Sequence, residues 1–392
     1  MKRTAPWKLW IPAAACLALA LAITVPLLTA NDGGGDFDLA RSDDALKVSY
    51  VNKVPGGRPA AVLTSLTEFA LFNQYDTDIF SGTIKEVRNI RASYNGADDY
   101  RAIAQIEVGT VYRGNLAAGE VVSTLLPGPV SADTGTEDTD VTSRFAAGTT
   151  GIFMPLKYDE TSFAEQNGVK LCLLDLAAYG FMDGERFAFL ETEDELVFNR
   201  AAYPALDGAR SLEDVAQYVQ AMARHYVSID VTRLDFASDD YLIFHDAAGL
   251  FVYDLNRRQM IRALDLEPIY CNNPDLCDVS VSPDGGTVIL RPRFDLELWR
   301  LEEDPSLPVG DTMFVYTVAD DTVSRADYTE MENPFDRLVW TADVLGGYDK
   351  VGYHSFKSVS FDDGTFGWLL TDDMTMGTLK YERGDESYIL FQ

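Results

Sequence analysis

FASDDYLIFHD (236–246), VSVSPDGGTVIL (279–290) and VSFDDGTFGWLL (359–370) read as variants of one unit. Each has an apolar strand, a turn carrying Asp or Gly, and a second strand. Apolar residues alternate or run continuously over lengths that suit strands, and Asp, Pro and Gly punctuate them. Ser238 and Ser282 are 44 residues apart, and Gly285 and Gly364 are 79 apart. MFVYTVADDTVSRADY (313–328) echoes GLFVYDLNRRQMIRAL (249–264) in composition and turn placement. A period near 40 residues built of strand–turn–strand units is the signature of propeller blades. Residues 231–392 are therefore predicted to be all-β, with about four blade-like units. They form either a propeller-like ring or an open all-β sheet. No stretch there has a capped 3.6-residue period, so helix is expected to be nearly absent.

Upstream, SLEDVAQYVQAMARHYV (211–227) is the clearest helix, with Leu212, Val215, Val219, Met222 and Tyr226 at steps of three and four. Ser211 is its expected N-cap, with Glu213 and Asp214 in the first turn. It is assigned to a bridging segment, 206–230. A second short helix is expected within 62–73. Between them the chain reads as strands. Gly82 is expected to mark a bulge or bend. Asp183-Gly184, between Phe181 and Phe187, is a type I′ hairpin signal.

DTDIFSGTIKEV (76–87), IEVGTVYRG (106–114), GEVVSTLLPG (119–128) and AAGTTGIFMPL (146–156) together resemble the netrin/TIMP-like module. The shared features are a strand with a central Gly, the V-x-x-V-Y-[KR]-G end at Val108–Gly114, the G-[DE]-x-V start at Gly119, and an apolar strand opened by Gly. The resemblance covers about 60–165 and implies a small five-stranded OB-type barrel, here placed with an added hairpin in 59–205. No cysteine lies between Ala60 and Leu171, so the family's cysteine-based protease inhibition does not carry over. DDYLIFHDAAGLFVYDL (239–255), CDVSVSPDGGTVIL (277–290) and GTLKYERGDESYILFQ (377–392) resemble an extracytoplasmic region of Firmicutes membrane proteins similar to beta-lactam-sensor-type metallopeptidases. H-E-x-x-H and S-x-x-K are both absent, so neither the peptidase nor an acylated serine is implied.

The chain has 392 residues, 32 basic and 62 acidic, and a net charge of −30. Nucleic-acid binding needs a basic surface to displace counterions, and this balance argues against it. The charge is divided by position. Residues 1–30 carry Lys2, Arg3 and Lys8 and no acid, leaving −33 on the rest. Leu9 to Ala30 (LWIPAAACLALALAITVPLLTA) is 22 residues without a charge, long enough to span a bilayer, with Trp7 and Trp10 at one end. Basic residues on the N-terminal side predict a cytoplasmic tip (1–8), a single-span anchor (9–30) in the cytoplasmic membrane, a flexible stem (31–58) and an extracytoplasmic body. A cleaved signal peptide and a lipoprotein site at Cys16 are the alternatives; all three export the body.

Disulfides are permitted outside the membrane. Cys271 and Cys277, six apart in IYCNNPDLCD, are the expected disulfide, while Cys172 is expected to be a buried thiol. No catalytic or cofactor-binding residue is assigned and no cofactor is expected. The closest thing to a catalytic pair is His245 with Asp246; His225 and His354 are read as surface or strand positions. Asp133, Glu137, Asp138 and Asp140 are weak calcium candidates in a loop without EF-hand spacing. Acidic turn pairs such as Asp239/Asp240 read as solvated loops, and strand aromatics such as Phe244 and Trp368 as packing. The leading expectation is an anchored, non-catalytic binding or signalling protein whose partner is a protein or cell-envelope ligand. A surface hydrolase using carboxylates or His245/Asp246, and an accessory to a membrane metallopeptidase or sigma-factor system, are the alternatives.

Overall fold

The computed structural model describes residues 37–55, 66–130, 140–224, 232–273, 277–292, 312–327, 348–351, 354–361, 364–370 and 377–392. The anchor assigned to 9–30 lies outside them. Among the described residues no helix is long and apolar enough to cross a membrane. The fold is mainly β, and its first part is a half-barrel sheet.

That sheet draws on β1 (Leu46–Tyr50), β2 (Ile79–Tyr94), β3 (Ala97–Arg113), β4 (Val121–Leu126), β5 (Thr150–Phe153) and β6 (Leu156–Lys157). A separate hairpin follows, β7 (Phe163–Gln166) with β8 (Val169–Cys172). The sheet resumes with β9 (Tyr179–Gly180), β10 (Ala188–Glu191) and β11 (Leu196–Val197). The order is β11-β10-β5-β2-β3-β4-β9-β6, with β1 also on β2. Asn95 and Gly96, at φ 47° and 91°, turn β2 back into β3, the left-handed pair a tight hairpin needs. The bend expected at Gly82 is present. The β2–β3 register slips there and again near Ile84, and a Cβ on Gly82 would lie 2.6 Å from the Glu107 carbonyl oxygen. The bent β2 pairs with β5 through Phe80–Thr83 and with β1 through its far half. β4 and β9 are parallel, and β9 pairs with β6. Only Met154 and Pro155 separate β6 from β5, so the pairings return to β2.

Two expectations are corrected here. Leu46–Tyr50 falls within the stretch read as a flexible stem, yet it forms β1, because Leu46 and Val48 alternate inward and are buried. Asp183-Gly184 makes no hairpin. The Asp183 carboxylate accepts from the Glu185 and Arg186 amides at 3.0 and 2.8 Å and pairs with the Arg186 guanidinium. This side-chain turn competes with the hairpin, and the hairpin forms instead between β10 and β11.

Helix α1 (Glu68–Asn73) is capped by Thr67 Oγ1, which accepts from the Ala70 amide at 3.1 Å. Helix α2 is Asp140–Ser143. Helix α3 (Leu212–Arg224) starts where the sequence places it. Ser211 Oγ accepts from the Asp214 amide at 3.3 Å and the Asp214 carboxylate accepts from the Ser211 amide at 3.0 Å, a reciprocal cap. Its buried face, Val215, Tyr218, Val219 and Met222, packs against β3, β5 and β10 and against the C-terminal strands.

Those strands form three antiparallel meanders. The first is β12 (Arg233–Ala237), β13 (Tyr241–Asp246), β14 (Gly249–Asp254) and β15 (Gln259–Leu264). The second is β16 (Cys277–Val281), β17 (Thr287–Pro292), β18 (Thr312–Thr317) and β19 (Thr322–Asp327). The third is β20 (Tyr348–Val351), β21 (His354–Phe361), β22 (Gly364–Leu370), β23 (Gly377–Arg383) and β24 (Glu386–Phe391). The described residues thus give three units where about four were expected. The two echoing stretches, 249–264 and 313–328, are the outer strand pairs of the first and second meanders, not units in their own right. Ser238 and Ser282 are true equivalents. Each hydroxyl accepts an amide across the turn between the first two strands, from Tyr241 at 3.1 Å and Thr287 at 2.9 Å. The two turns also meet, since the Tyr241 hydroxyl donates to the Asp284 carbonyl at 2.8 Å.

Candidate functional site

Among the described residues of the C-terminal region, four buried polar side chains, Thr232, Asp235, His245 and Asp246, gather at or beside β12 and β13. Their placement begins with a bulge. Leu234 pairs with Phe244 and Phe236 with Ile243, so Asp235 is an extra residue in β12. A bulge re-aims its side chain. Asp235 Oδ2 comes to 2.6 Å from His245 Nδ1, and the side chains are 1% and 3% exposed. Burial raises the Asp235 pKa, and the neighbouring His245 works against that rise. Asp235 Oδ1 and His245 Nε2 are buried without a hydrogen-bond partner among the described residues.

His245 and Asp246 are not a pair. Neighbours on a strand face opposite sides. Asp246 is turned to the other core, where Thr232 Oγ1 donates to it at 2.5 Å and the Ala248 amide at 3.2 Å. Thr232 Oγ1 in turn accepts from Trp368 Nε1 at 3.0 Å, which ties β22 of the third meander to the start of β12. Asp235, the actual partner, escaped the sequence reading because it lies ten residues away and is displaced by the bulge. The signal was there in the Ser238–Tyr241 turn, which folds β12 back on β13.

Cys271 and Cys277 are both buried, as free thiols, in the second core with Phe236, Ile243, Leu250 and Val279. A hydrogen bond with Cys271 and then burial push the Cys277 pKa up, and the Asp235 carboxylate adds to the rise. That thiol is therefore held protonated, the opposite of an activated nucleophile. Cys172 is a buried thiol on β8, as expected.

The other candidates are dispersed. Asp133, Glu137, Asp138 and His225 lie outside the described residues; Asp140 opens α2 and His354 opens β21. Among the described residues no group of three or more His, Cys, Asp or Glu could hold a metal. Asp239 pairs with Arg383, and Asp240 accepts from Asn256 at 3.1 Å, so this acidic turn is used in local contacts. The strand aromatics pack as expected, with Phe244 meeting Phe251 at 5.3 Å and Phe366 at 5.6 Å between ring centroids.

Chemically, the Asp235–His245 contact sets a carboxylate oxygen against a ring nitrogen inside a sealed interior. General-base chemistry on a substrate requires reach to the reacting proton, and His245 is closed off from solvent. Comparisons with protein-family models, curated proteins and solved structures give no match to this chain.

Proposed function

We propose that the chain is a membrane-anchored extracytoplasmic bacterial protein that binds or signals and does not turn over a substrate. The observation that carries this is the division of charge. A tip of +3 and an uncharged run of 22 residues precede a body of −33. Insertion keeps basic flanks inside, and a body this acidic suits neither nucleic acid nor anionic headgroups.

Two features support the finer fold reading. The circuit β2–β3–β4–β9–β6, returning through β5 to β2, fits an OB-type barrel. Its one parallel pair, β4 with β9, requires a long crossover, which β5 to β8 supply. Successive meanders with equivalent turns at Ser238 and Ser282 fit a blade-built, propeller-like region. Fold alone assigns no activity. Alkaline carbonate extraction of membranes expressing the full chain tests the anchor. The full chain should stay in the pellet, and a variant lacking 9–30 should be released; release of the full chain would refute it.

The Asp235–His245 contact is the one observation favouring a surface hydrolase, with Asp235 replacing Asp246. Turnover of glycans, esters or peptides by the full chain, abolished by His245→Ala, would establish that reading.

A further inference from the structure

The two thiols of the second core have a property that a binding role does not use. Cys271 lies just beyond the turn Glu267–Ile269 that follows β15, and Cys277 is the first residue of β16. They thus stand where the first meander hands over to the second. Both side chains are buried in the same core cluster, and Cys271 is the neighbour that most strongly raises the Cys277 pKa. On either side the chain is fixed. The Cys271 amide donates to the Leu266 carbonyl at 2.9 Å, and Cys277 is registered opposite Pro292 in the sheet. A disulfide needs neighbouring Cβ atoms, and two thiols of one buried cluster, six residues apart in the chain, are placed to supply them.

We infer that Cys271 and Cys277 are a redox site that closes to an intramolecular disulfide, fastening the handover between the first two meanders. The oxidant is a low-molecular-weight disulfide. One cysteine thiolate attacks a sulfur of the oxidant, forming a mixed disulfide and releasing the first thiol. The second cysteine then attacks the mixed disulfide and expels the second thiol. Two protein thiols and one small disulfide become one protein disulfide and two small thiols, with the two protons passing to the departing sulfurs. The high Cys277 pKa and the burial of both sulfurs make the first attack slow, since it needs a thiolate and local opening. Once it has happened, the neighbouring thiol is already in place, so the mixed disulfide is short-lived.

The full chain in hydroxyethyl disulfide, quenched with iodoacetamide and digested with trypsin, tests this. The peptide from Ala263 to Arg293 contains both cysteines and no other, since trypsin does not cut the Arg291-Pro292 bond. It should lose two mass units and become alkylatable only after reduction, while Cys172 and Cys16 stay out of the bond. In Cys271→Ser the remaining Cys277 should be trapped as the mixed disulfide. Full alkylation of both cysteines without reduction would overturn the inference. So would a stable mixed disulfide in the unaltered chain, or a bond from either residue to Cys172 or Cys16.

Discussion

At the scale of single residues, the interior is polar where a simple β fold would be apolar. Asp235 and His245 share a contact at 2.6 Å behind near-complete burial. Removing one partner of such a pair leaves the other uncompensated, which costs about 3–5 kcal/mol, whereas replacing both by apolar groups is often neutral. Asp235→Ala should therefore lower stability by about 3 kcal/mol, and the double change Asp235→Leu/His245→Leu should recover most of it. Urea midpoints of the three variants check this; equal losses in single and double variants would contradict it. Glu68 makes a second case. Burial pushes its carboxyl up to about 8, against the neighbouring Tyr218 hydroxyl and a hydrogen bond from the Gln392 amide. A folded-state pKa above the unfolded value stabilises at low pH. That contribution is complete below about 4.5 and is lost as pH rises to about 8. The unaltered chain should thus lose more stability between pH 5 and pH 9 than Glu68→Gln, whose amide does not titrate. Parallel pH profiles would contradict the assignment.

At the scale of elements, what was legible followed local chemistry. The cap of α3 was readable because Ser211 and Asp214 satisfy each other's amides. The bend at Gly82 was readable because only glycine leaves room beside the Glu107 carbonyl. Gly82→Ala should cost about 2–3 kcal/mol, measured as a fall in the urea midpoint with unchanged slope; an unchanged midpoint would mean β2 and β3 can part there freely. What was illegible depended on competition between neighbours. Asp183-Gly184 has hairpin residues, but the Asp183 side chain takes two following amides before the strands can meet. The Asp235–His245 contact required knowing that β12 carries an extra residue. The repeat period is met at Ser238 and Ser282, while the described residues show three units, because outer strand pairs resemble whole units in sequence.

At the scale of the molecule, one core runs through the half-barrel, α3 and the C-terminal strands. Phe72, Tyr218 and Phe391 form a bridge within it, with Tyr218 stacked on Phe391 at 6.0 Å and edge-on to Phe72 at 6.2 Å. Phe391 also meets Phe251 at 5.1 Å. Phe391→Ala should cost about 3–5 kcal/mol. It should shift far-UV dichroism and tryptophan fluorescence together, in one transition; separated transitions would show that the parts unfold independently.

The body of −33 should stand outside the cytoplasmic membrane. Added protease acting on intact spheroplasts that express the full chain, followed by blotting for N- and C-terminal tags, tests it most directly. An anchored, exported body should lose the C-terminal tag while a short fragment carrying the N-terminal tag stays protected. A C-terminal tag that survives until the membrane is lysed would contradict it.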